Sequence, residues 1–143
     1  MANKDDAYYM EKALNEIAII VDYTKGLSYE EFMSDGRNVD ATVFRLEQMI
    51  EHIKHLSPDF QQMHNNIPWG DIIGFRNGLV HEYGKTDYTT LYEVVSKDIY
   101  ELKELFENNI WAFMFFHASE TIDIKILEPR VSNHNKPLVY FSF

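Results

Sequence analysis

Apolar residues recur at helical spacing along most of the chain. From about Asp6 to Lys25, Met10, Leu14, Ile17 and Val21 fall at i, i+4, i+7 and i+11 among Glu11, Lys12, Asn15 and Glu16, which predicts an amphipathic helix. Gly26 reads as the residue just past its C-terminus. Ser28-Tyr29-Glu30-Glu31 has the form of a capping box, opening a short helix through Phe32 and Met33 that Asp35-Gly36 ends. A second long helix is expected to start near Asn38 or Asp40 and run to about His55. Val43, Leu46, Ile50 and Ile53 form its buried stripe, Met49 and Leu56 widen it, and Ser57-Pro58 stops it.

The polar stretch Asp59 to Pro68 predicts a loop with a helical turn. Trp69 to His81 reads as a third long helix between Pro68 and Gly84. Gly74 and Gly78 lie four apart on one of its faces, where they would let another backbone come close. Asp87 caps a fourth long helix carrying Leu91, Val95, Ile99, Leu102 and Phe106. The apolar run Ile110 to Phe116 can continue it. Beyond that run, Thr121 to Leu127 alternates with period two and Pro137 to Phe143 is extended in character, with Ser132-Asn133-His134-Asn135 between them, which suggests a β-hairpin. The fold class is therefore all-α, an antiparallel helical bundle, with residues 1–109 as the helical domain and 110–143 as a C-terminal extension.

Composition narrows the function. The 143 residues are 45% hydrophobic and 15% aromatic, as a globular domain requires, and there is no cysteine to supply a disulfide or a thiolate metal site. The N-terminus lacks the basic and apolar regions of a signal peptide, and no apolar run approaches the roughly 20 residues of a membrane span. A soluble, cytoplasmic protein is expected, with no membrane association. The net charge of −10 excludes a protein that coats nucleic acid through a broad basic surface, so any nucleic-acid chemistry must use a small local site. The acidic first third, Asp5, Asp6, Glu11, Glu16, Asp22, Glu30, Glu31 and Asp35, reads as a solvated face.

One segment carries chemistry. Arg76, His81 and Tyr83 are spaced as R-x4-H-x-Y, with Asn77 one helical turn before His81. A metal-free cut of RNA needs a base near neutral pH for the ribose 2′-hydroxyl, which histidine supplies, and a cation for the charge that builds on the phosphoryl oxygens. A guanidinium can hold that charge bidentately. Arg76 and His81 point about 140° apart at roughly 100° per residue, so one straight helix does not assemble the pair. The competing reading has Arg76 paired with a glutamate and His81 at a helix C-terminus, where the dipole favours a cation. His52, His55 and His64 lack the carboxylates or cysteines that would complete a metal set and read as solvated histidines. The aromatic run Trp111, Phe113, Phe115, Phe116 lacks interleaved basic residues and reads as packing surface.

The chain resembles the HepT group of HEPN-domain ribonuclease toxins over about residues 6 to 107. The likeness rests on Gly26-Leu27-Ser28 with Phe32, on Asp40-Ala41, on Ile67-Pro68-Trp69, on Arg76-Asn77-Gly78-Leu79-Val80-His81-Glu82-Tyr83 and on Asp87. The resemblance implies a homodimer that cuts RNA without a metal or cofactor, with Arg76 and His81 catalytic and Asn77 supporting. It also implies an MntA-like nucleotidyltransferase antitoxin that transfers AMP to Tyr83. The alternative is a catalytically silent HEPN protein serving as the binding subunit of such a nucleotidyltransferase. Two departures stand out. The family usually has glycine followed by Glu-Ala in the second long helix, where this chain has Met49-Ile50-Glu51-His52, and the segment beyond Phe106 exceeds the family core.

Overall fold

A computed structural model describes residues 4–80, 88–118, 130–131 and 137–138. The helices are α1 (Lys4–Thr24), α2 (Tyr29–Ser34), α3 (Gly36–Lys54), α4 (Pro58–Met63), α5 (Trp69–Val80), α6 (Tyr88–Glu93) and α7 (Ile99–Ala118). A π-helical turn, Val94–Asp98, joins α6 to α7. The fold is all-α, as the periodicity predicts. Helix α7 runs unbroken through position 110, so the Ile110 run does continue the last helix. The only pairing of strands among the described residues is β1 (Arg130–Val131) against β2 (Pro137–Leu138), antiparallel. The alternating stretch Thr121 to Leu127 lies outside the described residues.

The turns are set by local chemistry. Gly26 takes a φ of 73°, the left-handed conformation that glycine adopts without strain. Ser28 Oγ accepts the Glu31 amide at 3.1 Å while the Glu31 carboxylate accepts the Ser28 amide at 2.8 Å, which completes the capping box. The second long helix starts earlier than Asn38. Asp35 serves as its N-cap, its carboxylate accepting the amides of Arg37 and Asn38, so Gly36 is already helical. Ser57 caps α4 in the same way, with Pro58 in the first turn.

Helix α1 packs antiparallel on α3, a direction fixed by three ties along its length. Asp6 meets Ser57, Glu16 meets Arg45, and Tyr23 meets Asn38. The core between α1, α3, α5 and α7 is built from Met10, Leu14, Ile17, Leu46, Ile50, Ile53, Leu91, Val95, Ile99 and Phe106. Val43 and Leu102, expected in the stripes, are only half-buried. The π turn has a reason in the spacing. Leu91, Val95 and Ile99 recur every four residues, a stripe that drifts about 40° per step on an α-helix at roughly 100° per residue. One wider turn with i→i+5 bonding reduces that drift and keeps all three inside.

The acidic first third is not wholly solvated, which corrects the sequence reading. Asp6 is 1% exposed, and its two carboxylate oxygens accept the Ser57 amide and hydroxyl, both at 2.7 Å. Glu16 is buried against Arg45 at 3.3 Å. Glu16 ties α1 to α3, and Asp6 ties it to Ser57, the cap of α4 just beyond the end of α3. No helix among the described residues is long and apolar enough to cross a membrane.

Candidate active site

Helix α5 carries the motif, and its N-terminus is firmly anchored. The Trp69 indole N–H donates to the carbonyls of His64 (3.0 Å) and Gln61 (3.1 Å). The ring itself stacks on Phe106, with centroids 5.9 Å apart. A buried tryptophan with its polar edge satisfied fixes both the position and the rotation of the helix that follows. Leu79 is buried near the other end, and Ile72, Ile73 and Phe75 pack partly against the core. With those positions facing inward, Asn77 and the glycines Gly74 and Gly78 face outward and are exposed. Among the described residues nothing approaches either glycine: a Cβ added at each would meet no described atom within 4 Å. The close backbone contact expected of this pair is therefore not made inside one described chain.

Arg76 points across to the C-terminal turn of α3, where one guanidinium nitrogen lies 3.5 Å from a Glu51 oxygen. Both side chains are 40% exposed. A charge-assisted hydrogen bond would be nearer to about 2.7–2.9 Å. The contact is an ion pair of moderate length that engages one nitrogen of a fork with five donors, and no other acidic partner of Arg76 lies among the described residues. Glu51 is shared. The same oxygen lies 3.4 Å from Lys54 Nζ, and the other lies 3.8 Å from His55 Nε2. His55 in turn lies flat on Tyr9, with ring centroids 4.8 Å apart and planes 17° apart. His81 and Tyr83 lie outside the described residues, as does the Asp87 cap, so only Arg76 and Asn77 of the motif are placed here.

The histidines differ from one another. His55 is exposed, as expected of a solvated residue. His52 is half-buried, and loss of water around it pushes its pKa below the usual histidine value, helped by Lys12 and His55 and opposed by Glu16 and Glu51. His64 departs further from the solvated reading. Its ring packs 4.7 Å from Phe60, burial lowers its pKa, and its buried Nε2 has no hydrogen-bond partner among the described residues. Among the described residues no three His, Asp or Glu gather as metal ligands.

Helix α5 also borders an apolar cavity of about 470 Å³ between α3, α5 and α7, lined in part by Ile50, Ile72, Phe75 and Leu102. Ile50 is buried at this cavity. Its side chain fills space beside α5 that a glycine would leave empty. The role of Glu51 was not legible as a site residue, although Glu51, Lys54 and His55 at i, i+3 and i+4 on the last turn of a long helix are a visible cluster of charge.

Residues 13–108 match the family described as ribonuclease HepT-like. The chain belongs to the HepT-like ribonuclease family. It is 35% identical over 96 residues to a "Putative RNase" of Caldanaerobacter subterraneus subsp. tengcongensis, covering 67% of this chain and 86% of that one. It is 32% identical over 99 residues to the "Probable ribonuclease HepT" of Thermococcus cleftensis, covering 69% and 90%. A "Putative RNase" of Methanocaldococcus jannaschii is 28% identical over 104 residues, covering 73% and 95%. No solved structure matches the chain.

Proposed function

We propose that this HepT-like chain is a metal-independent RNA endonuclease, the toxin of a toxin–antitoxin pair, with Arg76 and His81 as its catalytic residues. The observation that carries the reading is Arg76 itself. It is held on a helix anchored at Trp69, half exposed, and among the described residues it is engaged by Glu51 through one guanidinium nitrogen. In the reaction His81 takes the proton from a ribose 2′-hydroxyl, the 2′-oxygen bonds to the adjacent phosphorus, and the 5′-oxygen leaves with a proton. The Arg76 fork stabilises the charge on the phosphoryl oxygens, and Asn77 supports the group that faces it.

The working unit is a homodimer whose two motifs share one cleft. Supporting this are the poor alignment of Arg76 and His81 on a single helix, the open glycine face of α5 and the apolar cavity beside it. The second His81 would then be available as the acid for the leaving oxygen. Residues 1–109 form the catalytic domain and 110–143 its extension, a boundary close to the end of the family match at 108. An MntA-like nucleotidyltransferase neutralises the toxin by joining the Tyr83 phenolic oxygen to the α-phosphorus of ATP with loss of pyrophosphate. A negative phosphodiester then stands near Arg76 and competes for its guanidinium.

Expression of the chain alone should arrest growth, and His81→Ala should relieve the arrest. Cleavage by purified protein should survive EDTA. Loss of activity on chelation, restored by a divalent ion, would sink the mechanism. After co-expression with a neighbouring nucleotidyltransferase, mass spectrometry should map an AMP adduct to Tyr83, absent from a Tyr83→Phe variant that remains toxic. A second reading is favoured by the Arg76–Glu51 pair and by the −10 charge: a catalytically silent subunit that binds the nucleotidyltransferase. A chain that binds the nucleotidyltransferase but neither arrests growth nor cuts RNA would establish it.

A further inference from the structure

A chain of net charge −10 must grip a polyanion locally if it grips one at all, and the described surface offers a place suited to it. Where the N-terminal half of α1 crosses the last turn of α3, three rings run in contact. Tyr8 meets Tyr9 edge-on at 5.2 Å, and Tyr9 lies flat on His55. Tyr8 is 54% exposed and the His55 side chain 53%, so both offer ring surface to solvent. Two lysines flank the row. Lys12 Nζ sits 5.4 Å from the centre of the Tyr8 ring, and Lys54 is exposed beside His55. The row then runs into the motif, because His55 and Arg76 contact the two oxygens of the same Glu51 carboxylate.

We propose that this row is a docking platform for unpaired nucleotides next to the phosphate that is cut. Bases stack on Tyr8 and on the outward face of His55, which Tyr9 backs, while Lys12 and Lys54 hold the strand and lead it to Arg76. The proposal rests on the RNA-cutting reading above and names the form of RNA that the site takes. Single strands are favoured because stacking on side-chain rings needs bases turned outward, as they are in loops and ends but not in an A-form duplex. Duplex binding would need phosphate contacts spread across a wide basic face, and Asp5 and Glu11 stand within one helical turn of Tyr8. The local field is therefore modest, and ring stacking carries much of the grip.

The test uses the full chain with His81→Ala to prevent cleavage. Fluorescence anisotropy measures its binding to a labelled, unstructured RNA of about twelve nucleotides and to the same sequence as a duplex. The single strand should bind at least about tenfold tighter. Tyr8→Ala and His55→Ala should each weaken it on the order of tenfold, in line with the effect of removing one stacking ring. Lys12→Gln and Lys54→Gln should each make the slope of log affinity against log salt less negative by about 0.7. Lys25→Gln, at the opposite end of α1, should leave that slope unchanged. Thermal midpoints by circular dichroism verify that the variants fold. In the cleaving protein the ring variants should raise KM and leave kcat nearly unchanged. If the protein cuts RNA while both ring variants keep wild-type affinity and KM, the platform is wrong and the ribonuclease reading stands. Equal affinity for duplex and single strand, lost equally in the ring variants, overturns the single-strand assignment. If the chain neither binds nor cuts any RNA, the ribonuclease reading itself fails.

Discussion

Replacing Arg76 separates a structural role from a chemical one, because the two differ greatly in size. The ion pair with Glu51 joins two side chains that are each 40% exposed, at 3.5 Å. Water and salt screen such a pair, and its contribution to folding is at most about 1 kcal/mol. For a chain of this length that corresponds to a change in melting temperature of a few degrees, roughly 2–4 °C. A guanidinium that meets the charge of a phosphoryl transfer contributes much more, and its loss costs on the order of a hundred- to a thousandfold in rate. Arg76→Ala should therefore melt within a few degrees of the wild type while kcat/KM on a fluorogenic RNA falls by that factor. Arg76→Lys keeps the charge and loses the fork, so it should recover only a small part of the rate. Glu51→Gln removes the same ion pair together with the Lys54 and His55 contacts, so it should cost at least as much stability as Arg76→Ala without its loss of rate. Calorimetry and initial rates on the same preparations decide the matter. If Arg76→Ala lowers the melting temperature but cuts RNA within about threefold of the wild type, the arginine is structural and the mechanism falls.

The remaining predictions concern the scaffold and the field around it. Asp6→Ala removes two 2.7 Å hydrogen bonds to a charged acceptor and leaves the Ser57 amide without its partner. It should cost about 3 kcal/mol, and a calorimetric melting temperature within a degree or two of the wild type would refute this tie. Burial lowers the pKa of His52 and His64 in the folded protein, so the unfolded chain binds more protons below its own histidine value of 6.5. Stability should be full above that value and decline as pH falls through the folded pKa values, with a smaller decline in His64→Asn measured by urea unfolding at pH 7.5 and 5.5. The overall negative charge should slow the approach of RNA, so the association rate should rise with added salt in stopped-flow measurements. A rate that falls steeply with salt would show an attractive field that this composition does not supply.

The helices were legible where periodicity and punctuation agreed. Met10, Leu14 and Ile17 face the core, and Gly26 and the Ser28–Glu31 box sit where their chemistry requires. Asp35 does end α2, but it also caps α3, so the next helix starts at Gly36, before the Asn38 that periodicity suggests. The π turn could not be read directly, since a run of four-residue spacings tolerates either an α-helix with a drifting stripe or a wider turn. Asp6 and Glu16 were read as solvated because sequence gives the type of a residue and not its partner. What buries them is Ser57 and Arg45, contributed from the far side of an antiparallel pair. The site shows the same limit. Arg76 was singled out from its spacing, but its acidic neighbour comes from α3 and is separated from it by 25 positions in the chain.

That neighbour bears on how the proposed site would be controlled. Glu51 is already an anion beside Arg76, and it does not saturate the guanidinium because it is divided among Arg76, Lys54 and His55. A substrate phosphate therefore has only a partial competitor to displace. A phosphodiester fixed on Tyr83 would differ in two respects. It would be covalently tethered, so its effective concentration would not fall when RNA is abundant, and it would carry the bulk of an adenosine. On the proposed reading, Glu51 is weak enough for RNA to displace, whereas a tethered phosphodiester competes for the guanidinium at every RNA concentration.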